Sequence, residues 1–311
     1  MQIEIISSES LGVRGLCCFV RAGDRRILID PGVALGYHRK GLLPHPCQVL
    51  QGIKIRETII NRWSLATDVV ISHFHGDHCP LPNANPYQLD LEQIENLPPP
   101  ERIWIKSSKH LSSLEQKRKN ALVSIFKRRV IEGEGKTDGP LSFSNAVPHG
   151  DEHSRNITVM MTRIESERAF IHASDIQLLN RRSVSLILER KPDVLLAGGP
   201  PIYLGKRISR EQKKRAMKNA VTLAREIDAV IIDHHIMRDL DGGDWIAEVS
   251  RQSGRRVFCS ADFMKVKRKM LEAKRKRLYE ILPVPEGWHE RYGRGEASIQ
   301  SWREKCKTPV P

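Results

Sequence analysis

The sequence lacks the long apolar runs that mark membrane-spanning and secreted proteins. Only 40% of its 311 residues are hydrophobic. It has no run of about 18 consecutive apolar residues and no basic start followed by a short apolar segment. These absences predict a chain without a transmembrane helix or a secretion signal, and the cytoplasm as its compartment. The length allows one large α/β domain with additions, or two domains.

Cysteine is scarce and follows no familiar pattern. The six cysteines form neither a C-x-x-C pair nor the spacing of a disulfide framework, so we expect reduced thiols at Cys17, Cys18, Cys47, Cys79, Cys259 and Cys306. Cys79 directly follows the motif described next. We expect it to be buried beside a metal site rather than to be a ligand.

What the sequence does contain is a dense group of metal-binding side chains. His73-Phe74-His75-Gly76-Asp77-His78 comes directly after the apolar segment 68–72. Neutral imidazole and carboxylate are good ligands for divalent transition metals. In an extended segment alternate residues point the same way, so His73 and His75 can share one ion. Gly76 lets the chain bend and present Asp77 and His78 to a second ion. A solvated loop is the alternative interpretation.

The order His-x-His-x-Asp-His after a hydrophobic strand resembles the signature of the metallo-β-lactamase superfamily. The resemblance covers about residues 1 to 260. Within that superfamily the chain most resembles an archaeal group, itself uncharacterised, whose members are described only as metal-dependent hydrolases. The resemblance implies an α/β fold, the four-layer αββα sandwich. Glycine- and proline-rich stretches predict loop insertions at about 32–51 and 80–100 in a domain over 1–260. An apolar stripe predicts that the basic C-terminal helix and tail, 261–311, pack on the same domain.

The resemblance also implies ligands further along the chain. Asp30 ends an early apolar run and is expected to orient a ligand rather than to bind the metal. The third histidine of the first ion is expected at His149, with His153 as the alternative. The bridging aspartate is expected at Asp175.

The last ligand of the second ion is expected at His234 or His235, and the sequence leaves that choice open. The full set of implied metal ligands is His73, His75, Asp77, His78, His149, Asp175, His234 and His235. Asp77 and Asp175 are the expected catalytic residues.

Local patterns predict a layered arrangement of strands and helices. Short apolar runs predict strands at 3–6, 16–20, 27–29, 69–71, 103–105, 141–143, 157–161, 170–172, 194–197, 230–232 and 257–259. Longer periodic segments predict helices at about 107–129, 184–190, 209–227 and 262–281. The third helix has a clear start, because Ser209 and Gln212 form the pattern of a capping box.

Positive charge is unevenly distributed. The net charge is +14, and residues 251–311 hold 16 basic against 7 acidic residues. A second excess lies at 106–129, where eight basic residues accompany only Glu115. Such surfaces attract nucleic acids and other polyanions. Solvated helix faces are the alternative interpretation.

These features predict a dinuclear metal-dependent hydrolase that uses a metal-bridging hydroxide on an anionic ester or phosphodiester. Zinc is the expected metal, with iron or manganese as alternatives. Alternative functions are a nuclease or RNA-processing enzyme, a lactonase or sugar-phosphate hydrolase, and a non-catalytic nucleic-acid-binding module. We expect a small-molecule or nucleic-acid partner, no membrane, and leave the oligomeric state open.

Overall fold

A computed structural model describes residues 1–109, 111–151 and 157–307. The chain is a mixed α/β protein. Its first sheet has six strands in chain order: β1 (Gln2–Ile5), β2 (Cys18–Ala22), β3 (Arg25–Ile29), β4 (Asp68–Ile71), β5 (Arg102–Ile105) and β6 (Val130–Glu132). The first three strands are antiparallel, and β3 to β6 are parallel. Two helices provide crossovers, α1 (Pro46–Trp63) and α2 (Ser113–Phe126).

The second sheet has seven strands. They are β7 (Thr137–Asp138), β8 (Leu141–Phe143), β11 (Thr162–Glu165), β12 (Ala169–His172), β13 (Val194–Ala197), β14 (Ala229–Ile232) and β15 (Val257–Phe258). A separate antiparallel pair consists of β9 (Val147–Pro148) and β10 (Thr158–Val159). The parallel strands β12 to β15 are linked by α3 (Arg181–Glu189), α4 (Arg210–Glu226) and α5 (Gly242–Ser253). Three short helices follow, α6 (Ser260–Phe263), α7 (Arg275–Ile281) and α8 (Trp288–Gly293).

Alternation along β3 shows how the layers pack. Ile27 lies in a core that also contains Phe170 of the second sheet and Leu223 of α4. Its neighbour Leu28 lies in a different core, with Ile59 of α1. Because successive strand residues point to opposite faces, the first sheet packs against the second sheet on one side and against helices on the other.

The parallel strands bring the motif residues together. The carboxyl ends of β3 and β4 lie side by side, and so do those of β12, β13 and β14. Asp30, the segment 73–78, Asp175 and the pair His234 and His235 all follow these strand ends. Ligand sites in parallel α/β sheets form at this edge because the loops that leave the strands meet there.

Several predicted elements are confirmed and others are shorter. Helix α4 begins after Ser209, whose hydroxyl accepts from Gln212 N while the Gln212 side chain returns to the Ser209 backbone. The predicted helix 107–129 is reduced to α2. The predicted loop 32–51 is wrong at its end, because α1 begins at Pro46 with His45 as its N-cap. Proline at the first helical position and a capping histidine look like turn residues in sequence.

The predicted single helix over 262–281 is wrong. Helix α6 ends at Phe263 and α7 begins at Arg275. Between them Lys265 and Met270 have left-handed backbones, with φ of 55° and 45°, and Lys269 N donates to Ser10 O at 2.8 Å. A backbone hydrogen bond to a distant part of the chain therefore replaces the helical hydrogen bond that periodicity alone predicts.

The prediction of six reduced cysteines is wrong for two of them. Cys47, in the first turn of α1, is disulfide-bonded to Cys306, 259 residues away. Sequence spacing cannot reveal a pair that only the fold brings together. The remaining four cysteines are buried free thiols. Among the described helices, none is both long and apolar enough to cross a bilayer.

Candidate metal centre

The turn after β4 presents the histidine motif to the space between the two sheets. Phe74 is fully buried, and its carbonyl accepts from Arg118 Nη1 at 2.7 Å. The carbonyl of His75 accepts from His78 N at 3.0 Å. An added Cβ at Gly76 would lie 2.8 Å from Leu81 Cδ1, so the Leu81 side chain would have to shift. The turn therefore holds its ligands by backbone bonds and close packing.

Asp175 lies at the middle of the centre. Its Oδ1 is 2.9 Å from His78 Nε2 and 3.3 Å from His234 Nε2. Its Oδ2 faces the other side chains: His149 Nε2 at 3.2 Å, His235 Nε2 at 3.5 Å, His73 Nε2 at 3.6 Å and His75 Nδ1 at 4.0 Å. One carboxylate is therefore surrounded by six imidazoles.

The ligand atoms fall into compact groups of three. Atoms within 4.8 Å of one another come from His73, His75 and Asp175, from Asp77, His78 and His234, and from His149, Asp175 and His235. The first two groups match the two ion sites that the spacing of the motif predicts. A fourth group, Asp30 with His73 and His78, lies behind them.

Three atoms of the centre are buried without a hydrogen-bond partner. They are His73 Nε2, His78 Nε2 and Asp175 Oδ1. Buried polar atoms are nearly always satisfied, because an unsatisfied one costs about 1–3 kcal/mol. Unsatisfied nitrogen and oxygen atoms that face one another fit divalent cations, so this donor set passes a test for a metal site.

Asp30 supports the centre from behind. It is fully buried. Its Oδ2 accepts from His78 Nδ1 at 2.9 Å, and from the hydroxyls of Ser72 and Ser174 at 2.7 Å each. Its Oδ1 accepts from Ser72 N at 2.8 Å. Such a carboxylate fixes the ring of a ligating histidine, so that Nε2 faces the metal.

Burial sets the protonation of most of the imidazoles. It lowers the pKa of His75 to about 3 and lowers those of His73, His234 and His235. These rings are neutral, which is the form that binds metal. His78 differs: burial acts to lower its pKa, but the surrounding carboxylates, first Asp175, raise it well above the usual value.

Arg238 is a buried neighbour of the centre that the sequence did not indicate. Its Nη2 lies 2.7 Å from His234 Nε2 and 3.4 Å from Asp77 Oδ2. Its Nε donates to Glu9 Oε1 at 2.7 Å, and Glu9 is itself buried. The only local feature that could have indicated its role is its position four residues after His234. Its guanidinium therefore lies against the group formed by Asp77, His78 and His234.

The centre opens to solvent beside His75, whose side chain is 34% exposed while that of His73 is fully buried. A cavity of about 500 Å³ adjoins it. Among the described residues its lining includes Leu111, Leu114, Glu115, Arg118 and Ile157. The mouth is therefore partly apolar, with one cation and one carboxylate.

The structure brings together all eight residues that were predicted as ligands. His234 lies with Asp77, and His235 lies with His149, so both enter the centre. His153, the alternative to His149, lies outside the described residues. Cys79 is buried and its Sγ donates to His75 O at 3.3 Å.

Comparison with known proteins gives a family. No protein-family model matches the chain. A UPF0282 protein of Methanosarcina mazei is 43% identical over 303 residues, 97% of this chain and 99% of that protein. UPF0282 proteins of Thermococcus gammatolerans and Thermococcus kodakarensis are 40% and 38% identical, each over 90% of this chain and at least 95% of the relative. These are archaeal proteins whose names state no activity. The chain belongs to the UPF0282 family.

Proposed function

We propose that this protein is a dinuclear metal-dependent hydrolase with the metallo-β-lactamase fold. Two facing sheets with helices on their outer sides support the four-layer αββα arrangement. The observation that carries the proposal is the convergence of six imidazoles on Asp175, with unsatisfied buried atoms on His73, His78 and Asp175 itself.

Each ion has a candidate set of ligands. His73, His75 and His149 would hold the first, and Asp77, His78 and His234 the second. Asp175 has one oxygen toward each group and would bridge them. Imidazole and carboxylate donors suit zinc, and they also accept iron or manganese.

When bound, such a pair of ions supplies an acidified water as nucleophile and polarises the bond to be cleaved. The chain's own residues position this chemistry. Asp77 would help His78 and His234 to hold the second ion and would orient a water bound there. His235 donates Nδ1–H to Gly199 O at 3.2 Å, which leaves its Nε2 facing Asp175 Oδ2.

The mouth of the centre favours a small anionic ester or phosphodiester. Arg118, which shares the mouth with Glu115, suits a negative group, and Leu111, Leu114 and Ile157 suit an apolar one. A cavity of about 500 Å³ is in the range of small-molecule sites.

The test is hydrolysis of a chromogenic phosphodiester, and in parallel of a carbonyl ester and a lactone, by zinc-loaded protein whose metal content has been measured. Asp175→Ala should lower both zinc content and turnover, the latter by about a hundredfold or more. Asp228→Ala is the matched control, because Asp228 is an exposed aspartate whose partners are Arg168 and Arg255. Two bound ions with no hydrolysis of any of the three substrates would contradict the proposal.

A further inference from the structure

A second cavity lies outside the metal centre and is lined by positive charge. Its volume is about 590 Å³, and it lies between α1, the segment 267–274 and the C-terminal segment around Cys306. Of its thirteen lining residues seven are basic and none is acidic. We call it the basic cleft, and its cations are Lys54, Lys267, Arg268, Lys269, Lys274, Arg303 and Lys307.

The fold gathers these charges from three distant parts of the chain. Cys47, Leu50, Gln51 and Lys54 line the cleft from α1, and their spacing places them on one helical face. The left-handed residues at 265 and 270 interrupt the helix that would otherwise form. As a result the consecutive residues 267–269 all line the same cavity, which a helix would not allow. The Cys47–Cys306 disulfide holds the third wall against α1.

Arg268 and Lys307 are paired with Asp262 and Glu304, but some other cations of the cleft have no such counterion among the residues that the structure describes. Within the described part of the chain, no carboxylate lies within ion-pair distance of Lys54, Lys267 or Arg303. Lys269 contacts a neutral group, Gln51 Oε1, at 2.5 Å. Burial and the nearby charge of Lys54 lower the pKa of Lys269. Like charges confined in this way repel one another, and a bound anion would relieve that repulsion.

The floor of the cleft is apolar. Leu50, Leu271 and Leu278 line it together with the disulfide. A concave site of this volume, with an apolar floor and charged walls, suits a small ligand better than an extended strand. A nucleic acid would instead need a groove that follows its backbone. The cleft shares no lining residue with the cavity at the metal centre.

We propose that the basic cleft binds a small compound with several phosphate groups and an apolar or aromatic part, of the class of a nucleoside triphosphate. Lys54, Lys267 and Arg303 contact the phosphates, and the three leucines contact the base. This site is separate from the hydrolytic centre, and its occupancy does not depend on hydrolysis.

The test is equilibrium binding of a fluorescent adenosine triphosphate analogue to the intact protein at about 0.15 M salt, where weak surface attraction is screened. Inorganic tripolyphosphate and a short single-stranded RNA serve as competitors. The charge-reversed variant is Lys54→Glu with Lys267→Glu. The matched control is Lys213→Glu with Lys218→Glu on α4, which changes the net charge equally at exposed positions. Asp175→Ala tests whether the phosphates bind the metal centre instead.

We expect saturable binding of one nucleotide per chain, competition by tripolyphosphate, and a loss of affinity of about tenfold or more in the cleft variant only. Unchanged melting temperatures establish that the variants are folded, and Arg303→Glu provides an independent variant if one of them is not. Equal losses in both charge-reversed variants, loss of binding in Asp175→Ala, or tighter binding of RNA than of the nucleotide would overturn the proposal.

Discussion

Replacing Asp30 by asparagine should weaken metal binding without removing the fold. The substitution keeps side-chain volume, and asparagine tolerates the left-handed backbone at this position, where φ is 48°. Asparagine cannot accept all four of the hydrogen bonds that the carboxylate accepts from Ser72, Ser174 and His78. Whichever way its amide turns, one buried donor faces another donor.

The size of both effects follows from these contacts. One unsatisfied buried donor costs about 1–3 kcal/mol of unfolding free energy. His78 loses the partner that orients its ring, and losing such a partner lowers metal affinity about 10–100-fold. Zinc affinity, measured by competition with a chromogenic chelator, and urea unfolding of metal-free protein give the two quantities separately.

Asp68→Asn is the matched control for this prediction. Asp68 is also a fully buried aspartate, and it accepts from Arg25 and from Trp104 Nε1. It begins β4, whereas the motif follows the other end of that strand, which lies about 10 Å away at the usual rise per residue. Asp68→Asn should lower stability while leaving zinc affinity unchanged. Wild-type zinc affinity in Asp30→Asn, or an equal loss in Asp68→Asn, would refute the reasoning.

Three further predictions concern other parts of the molecule. His45 caps α1 and contacts Leu282 O, and burial lowers its pKa to about 4. The folded protein therefore holds the neutral ring, so urea unfolding should show a loss of about 3 kcal/mol of stability as the pH falls from about 6.5 to 4, and a smaller loss in His45→Asn. Cys306→Ser, or reductant, should lower unfolding free energy by up to about 5 kcal/mol because the closed loop is long; six reactive thiols in unreduced, unfolded protein would contradict this. Calorimetric zinc titration should show two binding steps, and the affinity of the second should be at least about tenfold lower because Arg238 competes with that ion. Arg238→Gln should bring the two affinities closer together. Equal affinities in the wild type would exclude the competition.

The sequence predicts strands best where they are buried on both faces. Segments such as 69–71 and 194–197 are continuous apolar runs, as expected for parallel strands between two layers. Strand β11 was missed because its sequence, Thr162–Glu165, contains a single apolar residue, Ile164. Helix α1 was missed because its first turn contains proline and a capping histidine. Helix starts of this kind resemble loops when tertiary contacts are unknown.

Some residues of the candidate centre can be predicted from the local sequence, whereas others matter only through contacts with distant parts of the chain. The segment 73–78 is predictable because its spacing is itself the chemical signal. Arg238 is not, because its importance rests on Glu9, 229 residues away, and on contact with Asp77, 161 residues away. The pairing of Cys47 with Cys306 is hidden for the same reason.

The contacts of Arg238 affect how a second ion would bind. The local motif supplies the ligands Asp77 and His78, and so predicts a second ion as firmly as the first. The fold then places a guanidinium 2.7 Å from His234 Nε2 and anchors it on a buried carboxylate. An ion at that position must displace the guanidinium from His234 or bind against its charge. We therefore expect the two proposed sites to be unequal, although the sequence presents their ligands as equivalent.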